Sequence, residues 1–278
     1  MSAPPATRRV ALATGVTLAF AERGERSGVP VVLLPGYADS HRFYEPLLPY
    51  LPGALHVYAV TPRGHGDSTK PEHGYALADF AADVPAFLDA VGLERAVLLG
   101  HSSGGLVAQR CAIDRPGRVL GLVLAGAPRG LHGVRPPFAA TVERMTDPVG
   151  PDLARAVLGA IPVTAALPES FVGEMVAENA KLPAHVWRAV LAGLTGAEAP
   201  TETGVITVPT LVLWGERDTL LGRGEQERLV AATPGARLVT YPDAGHLVAW
   251  DVPAALAADV AAFALGLWPP IPHAVATR

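Results

Sequence analysis

Two adjacent serines flanked by glycines, in "VLLGHSSGGL" (Val97–Leu106), are the residues of this chain best placed to do chemistry. An apolar run leads into them and a helical pattern leads away. A Gly-x-Ser-x-Gly spacing fits one register, Gly100, His101, Ser102, Ser103 and Gly104; centring it on Ser103 puts His101 where a glycine is wanted. That spacing marks a very tight strand-to-helix turn whose apex residue takes strained dihedrals, and side chains two positions either way would collide. The apex hydroxyl then stands above the carboxyl ends of the strands, where an open parallel sheet forms its crevice. Ser102 is therefore the candidate nucleophile, and Ser103 offers its backbone N–H. Taken alone, the motif also reads as a helix-capping serine in a Gly-rich turn.

A serine hydroxyl is a weak nucleophile at neutral pH and needs a base. Of nine histidines, His246 in "YPDAGHLVAW" directly follows the last apolar strand pattern, in a Gly-containing loop. His101 flanks the apex, so its side chain should point away from the reacting atoms and line the pocket. His65 in "RGHGDS" lies on another loop of the same face, where it would shape the floor of the site. His41, His56, His73, His132, His185 and His273 have no comparable placement. A basic imidazole needs a carboxylate to hold its tautomer. Asp218 in "LVLWGERDTL" follows the penultimate strand pattern; Glu216 is the second choice but stands close to the strand, and Ala127-Pro128-Arg129 after "LVLAG" contains no acid. A turn aspartate is the plain reading of Asp218 alone. The order Ser102, Asp218, His246, each beyond a strand end, is much harder to reach by accident.

The elements that must position these residues alternate. "VPVVLLPG", "HVYAVTPRGHG", "RAVLLG", "VLGLVLAG", "VPTLVLWGERD" and "ARLVTYPDAGH" read as strands, several of them apolar on both faces. Helical patterns lie between them: "YALADFAADVPAFLDAVGL", where Pro85 is expected to kink or restart the helix, "SGGLVAQRCAIDRPGR", "GEQERLVAATPG" and "PAALAADVAAFALGL". "RFYEPLLPYLPG" predicts one further short helix. This alternation implies an α/β fold: a mostly parallel central sheet with helices on both faces. From residue 129 to 205 the text is helical and offers no buried strand, so residues 1–128 and 206–278 form the predicted core and 129–205 a helical cap insertion. The tail "WPPIPHAVATR" should pack loosely.

Composition narrows the function. Half the residues are hydrophobic and 17% charged, with a net charge of −4 and no cluster of either sign, so neither nucleic acid nor an anionic membrane surface is an implied partner. The single cysteine, Cys111, cannot form an internal disulfide and reads as a buried structural thiol. "TRRVALATGVTLAFAERG" has the paired arginines of an export leader, but Thr14, Gly15 and Thr17 interrupt its apolar stretch, and its alternation predicts a hairpin. No apolar run approaches the roughly 20 residues that span a bilayer. The expected location is cytoplasmic. No metal-ligand cluster of the HExxH type is present, so no metal or cofactor is expected; nothing specifies an oligomeric state.

Taken in order, "LLPGYADS", "TPRGHGDS", "LLGHSSGG", "LVLWGERD" and "DAGHLVAWDVP" resemble the α/β-hydrolase superfamily over nearly the whole chain. The resemblance implies Ser102 as nucleophile, Asp218 as acid and His246 as base. It also implies an oxyanion hole made by the N–H groups of Tyr37 and Ser103. Two departures stand out. Pro35-Gly36 replaces the family's common His-Gly, and Thr61 stands where an aspartate often opens the arginine–glycine turn. A nucleophilic aspartate is absent, which disfavours dehalogenase and epoxide-hydrolase chemistry. The expected activity is acyl transfer from a small-molecule carboxylic ester or lactone to water. The text resembles hydrolases of esters and macrolide-type lactones, so the substrate expected first is a bulky apolar ester or macrocyclic lactone. The same triad serves hydrolases of carbon–carbon bonds in diketones and cofactor-free perhydrolases or lyases, and the fold also serves non-catalytic ligand-binding homologues. Phe138, Met145, Phe171, Met175 and Trp187, all in the insertion, are the candidate pocket liners beside His101.

Overall fold

Apolar runs too short for helices, each closed by glycine or proline, become the strands of one sheet. The computed structural model describes residues 5–268; the tail residues 269–278, with His273, lie outside the described residues. The strands are β1 (Thr7–Ala11), β2 (Thr17–Arg23), β3 (Val29–Leu34), β4 (Leu55–Val60), β5 (Ala96–His101), β6 (Val119–Ala125), β7 (Thr210–Gly215) and β8 (Arg237–Tyr241). Their order across the sheet is β1-β2-β4-β3-β5-β6-β7-β8. β1 pairs antiparallel with β2, and β2 with β4; every other pair is parallel. The stretch with the paired arginines is thus a hairpin at one edge, where Arg8 and Arg9 face outward.

Every residue of β3, β4, β5, β6 and β7 is buried. Period-two alternation divides them between two cores. Val31, Leu33, Val97, Leu99 and Val123 pack on one face, and Val32, Leu34, Leu98, Leu122 and Val212 on the other. Helices α1 (Leu77–Ala90) and α2 (Ser103–Asp114) cover the second face, where Cys111 is fully buried. Burial pushes the Cys111 thiol up to about 12, which leaves it unreactive at neutral pH.

α1 runs through Pro85 as one helix, so it does not restart there. Pro85 withholds one hydrogen bond from the preceding turn, but Val84, Phe87 and Leu88 are buried on either side of it and hold the helix in place. The stretch expected as one short helix after β3 is instead two tight turns, His41–Tyr44 and Leu48–Tyr50. Pro46 and Pro49 deny it the donors of a continuous helix.

Between β6 and β7 lie five helices: α3 (Ala139–Glu143), α4 (Pro151–Gly159), α5 (Glu169–Asn179), α6 (Ala184–Gly196) and α7 (Pro200–Thr203). They contain no strand among the described residues. Their inner faces join Tyr75, Leu77, Phe80 and Leu106 in a third apolar cluster, which seats this segment over the carboxyl end of the sheet. α8 (Arg223–Ala231), α9 (Val248–Asp251) and α10 (Pro253–Leu267) complete the chain. No helix of the described residues is long and apolar enough to cross a membrane.

The loop after β4 is fixed by a buried ion pair. The Arg63 guanidinium donates to Asp83 through Nε at 2.7 Å and Nη2 at 2.6 Å, and Thr14 Oγ1 donates to the same carboxylate at 2.6 Å. Asp83→Ala would strand the Arg63 charge in the interior. It is expected to lower the unfolding free energy by about 3–5 kcal/mol, measured by urea denaturation.

Candidate active site

β5 ends at His101 and α2 starts at Ser103, so one residue turns the chain. Ser102 has φ 50° and ψ −125°, a conformation that costs a side-chain-bearing residue about 1–3 kcal/mol. A Cβ on Gly100 would lie 2.5 Å from the Gly104 carbonyl oxygen, and one on Gly104 would lie 2.3 Å from that of Leu34. The flanking glycines are therefore demanded by backbone meeting backbone. The Ser102 N–H donates to Ala125 O at 3.1 Å, and the Gly105 N–H donates to Ser102 O at 2.8 Å.

Three distant segments meet here. Ser102 Oγ stands 2.9 Å from His246 Nε2, and His246 Nδ1 stands 2.8 Å from Asp218 Oδ2. Asp218 Oδ1 accepts from the N–H groups of Leu220 at 2.8 Å and Leu221 at 2.9 Å, which fixes the carboxyl plane. An ionised carboxylate only accepts, so His246 Nδ1 carries the proton and Nε2 is left to accept from the serine hydroxyl. Glu216, the second choice of acid, faces outward and accepts from Thr240 Oγ1 at 2.7 Å.

The His246 loop is braced from both sides. Its N–H donates to Pro162 O at 3.1 Å, in the segment between β6 and β7. Asp251 accepts from the Gly245 N–H at 2.7 Å, and from those of Thr164 and Ala165 at 2.8 and 2.7 Å. His101 Nε2 donates to His246 O at 3.1 Å, and its ring stacks on Phe43 at 4.5 Å. Burial, then the nearby His246, holds His101 down at about 3, so it is a neutral brace.

Ser102 and His246 open onto a cavity of about 350 Å³. Its polar end holds Gly36, Tyr37 and Ser103; its apolar walls include Leu131, Phe138, Ile161, Leu194 and Leu221. The N–H groups of Tyr37 and Ser103 make no hydrogen bond among the described residues. Thr61, one of the two departures, is absorbed locally: its Oγ1 accepts from the His41 N–H at 3.0 Å. His65 lines a small side cavity behind Gly36, Tyr37 and Ser103.

Of the expected pocket liners, the structure brings Phe138 and His101 to the wall, with Phe138 stacked on Tyr37 at 5.3 Å. Met145, Phe171, Met175 and Trp187 are not on it. Met145 and Trp187 are buried in the third apolar cluster, where Trp187 meets Tyr37 edge-on at 5.4 Å. Met175 joins the core beneath, and Phe171 packs against Trp250. Large side chains at helical spacing turn inward to cover apolar surface. The wall comes instead from the loop at 131–138 and from Leu191, Leu194 and Thr195 of α6.

Asp39 was absent from the sequence expectations. Its carboxyl lies in the cavity wall at 6% residue exposure. Burial pushes it up to about 7, with no neighbouring charge or hydrogen bond among the causes. The chemical signal in "GYADS" was hidden because the residue types of a turn and of a pocket are the same.

A family model described as the alpha/beta hydrolase fold matches residues 29–253. The RutD protein of Variovorax paradoxus, named for carbamate hydrolysis, is 33% identical over 242 residues, 82% of this chain and 89% of that protein. The structure of esterase RhEst1 from Rhodococcus sp. ECU1013 superposes with a TM-score of 0.80 at 25% identity, over 94% of this chain and 99% of that one. Est816, described as an N-acyl homoserine lactone degrading enzyme, superposes at 0.77 with 28% identity, over 92% and 100%.

Two outcomes check this geometry. Gly104→Ala drives a methyl into the backbone of β3 and is expected to destabilise the fold by about 1–3 kcal/mol or more, whereas Gly173→Ala in α5, with open space around it, is neutral or stabilising; urea melts compare them. Burial also holds His41 and His65 down at about 4. Together with His101, they bind fewer protons folded than unfolded between pH 6.5 and those values, so stability falls as pH drops through that window; Asp39, raised, acts in the opposite sense. Replacing His65 by Gln is expected to flatten the fall in unfolding free energy from pH 6.5 to pH 4, as followed by denaturant titration at each pH.

Proposed function

The chain belongs to the α/β-hydrolase family, and from that premise we propose that it is a serine hydrolase that cleaves a carboxylic ester or lactone through an acyl-enzyme. The observation that carries the reading is the unbroken hydrogen-bonded line from Asp218 through His246 to Ser102, ending at a largely apolar cavity. Ser102 Oγ attacks the carbonyl carbon as its proton passes to His246 Nε2, and Asp218 stabilises the imidazolium. His246 then gives that proton to the departing alkoxide. Water enters and yields a proton to His246 as its oxygen adds to the acyl carbon; the bond from that carbon to Ser102 Oγ then breaks, and His246 returns the proton to Ser102 Oγ. The N–H groups of Tyr37 and Ser103 receive the developing oxyanion, and each contributes about 3 kcal/mol to the transition state.

Residues 129–205 act in this reading as the lid that sets specificity. The cavity lies at the small end of ligand sites, which run from roughly 300 to 1,000 Å³. That supports an ester or small lactone with a moderate apolar portion; a macrolide-type ring needs the wall at 131–138 to move outward. The names carried by the similar proteins describe carbamate, ester and lactone cleavage, and each is an acyl transfer to water.

Ser102→Ala is expected to reduce kcat/KM on p-nitrophenyl butyrate by several orders of magnitude, on the order of 10⁶, and Asp218→Asn by about 10⁴. A fluorophosphonate probe should label Ser102 in the native protein, with the site read by peptide mass spectrometry. Near-normal hydrolysis by the Ser102→Ala protein overturns the proposal. A panel of p-nitrophenyl esters, lactones and diketones with product identification separates ester from carbon–carbon cleavage, and an unlabelled, inactive chain is a binding protein.

A further inference from the structure

A carboxyl that lines a cavity and has no partner in the protein keeps its hydrogen-bonding capacity for whatever enters that cavity. Asp39 is such a group. Its side chain makes no hydrogen bond among the described residues, and the donors around it are engaged elsewhere: the Tyr44 hydroxyl donates to Leu34 O at 2.8 Å, and His101 Nε2 donates to His246 O. Beside it, His101 Nδ1 is buried and unpartnered. The space these groups face is small and close to the nucleophile. A methyl built on Gly36 would lie 3.4 Å from Asp39 Oδ2, 3.3 Å from His101 Nδ1 and 3.3 Å from Ser102 Cβ.

We propose that Asp39 is a specificity-determining residue whose carboxyl pairs with a hydroxyl on the acyl chain, within a few bonds of the scissile carbonyl. The proposal rests on the ester-hydrolase reading for the pose of that carbonyl, which Ser102, Tyr37 and Ser103 fix at the polar end of the cavity. Asp39 follows Tyr37 by two residues, so its reach is to atoms beside the carbonyl, while Leu131, Phe138 and Leu194 face the remainder. A hydroxyl matches this site because it both donates and accepts, and so pairs with the carboxylate and with the acid. An ammonium group is a poorer match: it would give up its hydration to walls that are mostly apolar and that also carry Arg135. Burial raises the Asp39 carboxyl toward neutrality, which further reduces its attraction for a cation.

The test is binding to the non-hydrolysing Ser102→Ala protein, by calorimetric titration with ethyl β-hydroxyhexanoate and with ethyl hexanoate. The expected result is a preference of about tenfold for the hydroxylated ester, the worth of one buried hydrogen bond. Adding Asp39→Leu should bring that preference close to one by weakening only the hydroxylated ligand. Adding Asp39→Asn, nearly isosteric and able to donate and accept, should retain most of it, and its thermal midpoint shows that the fold survives substitution at this position. The proposal is overturned if the starting protein shows no preference, if the preference survives Asp39→Leu, or if both ligands weaken equally in both variants. Turnover of the same two esters by the native chain tests the hydrolase reading separately, since the binding ratio does not depend on catalysis.

Discussion

The strained backbone of Ser102 persists only because both of its flanks are locked. β5 pairs with β3 through Leu34↔Gly100 and with β6 through His101↔Ala125, so the strand cannot relax sideways at its last residues. On the far side, α2 begins at once and packs against β3, β5 and β6. Close approach of three backbones at Gly100, Gly104 and Leu34 leaves no room for a wider, unstrained turn. A strain of about 1–3 kcal/mol is small against the apolar surface buried by those three strands, and it holds a hydroxyl in one place without any side-chain partner to fix it.

The other two members arrive by a different logic. Asp218 and His246 sit on loops, which are inherently adjustable, so their placement depends on hydrogen bonds rather than on packed strands. Asp218 is oriented by two backbone donors of its own turn. His246 is held through its backbone by Pro162 and His101, and through Gly245 by Asp251, which also binds the chain at Thr164 and Ala165. The helical segment between β6 and β7 is thereby tied to the His246 loop by four hydrogen bonds that use Pro162, Thr164, Ala165, Asp243 and Asp251. A segment that walls the cavity thus also steadies the loop that carries His246.

This difference explains what the amino-acid text made legible. Strand positions were readable because burial on both faces writes continuous apolar runs such as "VPVVLL" and "VLGLVLA". The Ser102 turn was readable because its steric demand excludes every residue but glycine at two fixed offsets. Asp218 and His246 were readable because a parallel sheet delivers the loops after β7 and β8 to the same rim. The cavity wall was not. Met145, Met175 and Trp187 have the composition of a pocket, but helical spacing serves cores and pockets alike, and the core claimed them. The loop at 131–138, which does line the cavity, carries no period that could announce it. Pro85 does not end its helix for a related reason: local propensity argues for a break, and the buried Val84, Phe87 and Leu88 hold the helix together across it.

Two carboxyls of the site are set in opposite surroundings, and the contrast bears on its electrostatics. Asp218 accepts from two N–H groups and faces an imidazole, which is the environment of a fixed counter-charge. Asp39 accepts from nothing among the described residues and is pushed up to about 7 by burial alone. Under the proposed acyl transfer that distribution matters. A negative charge behind the imidazole stabilises the imidazolium as it forms, whereas a second one beside the oxyanion hole would oppose the charge developing on the substrate oxygen. Burial shifts Asp39 toward its neutral form, which lessens that opposing charge while a polar contact remains in the cavity wall. The buried, neutral His101 follows the same economy. It braces the His246 loop by one hydrogen bond and adds no charge beside that imidazole.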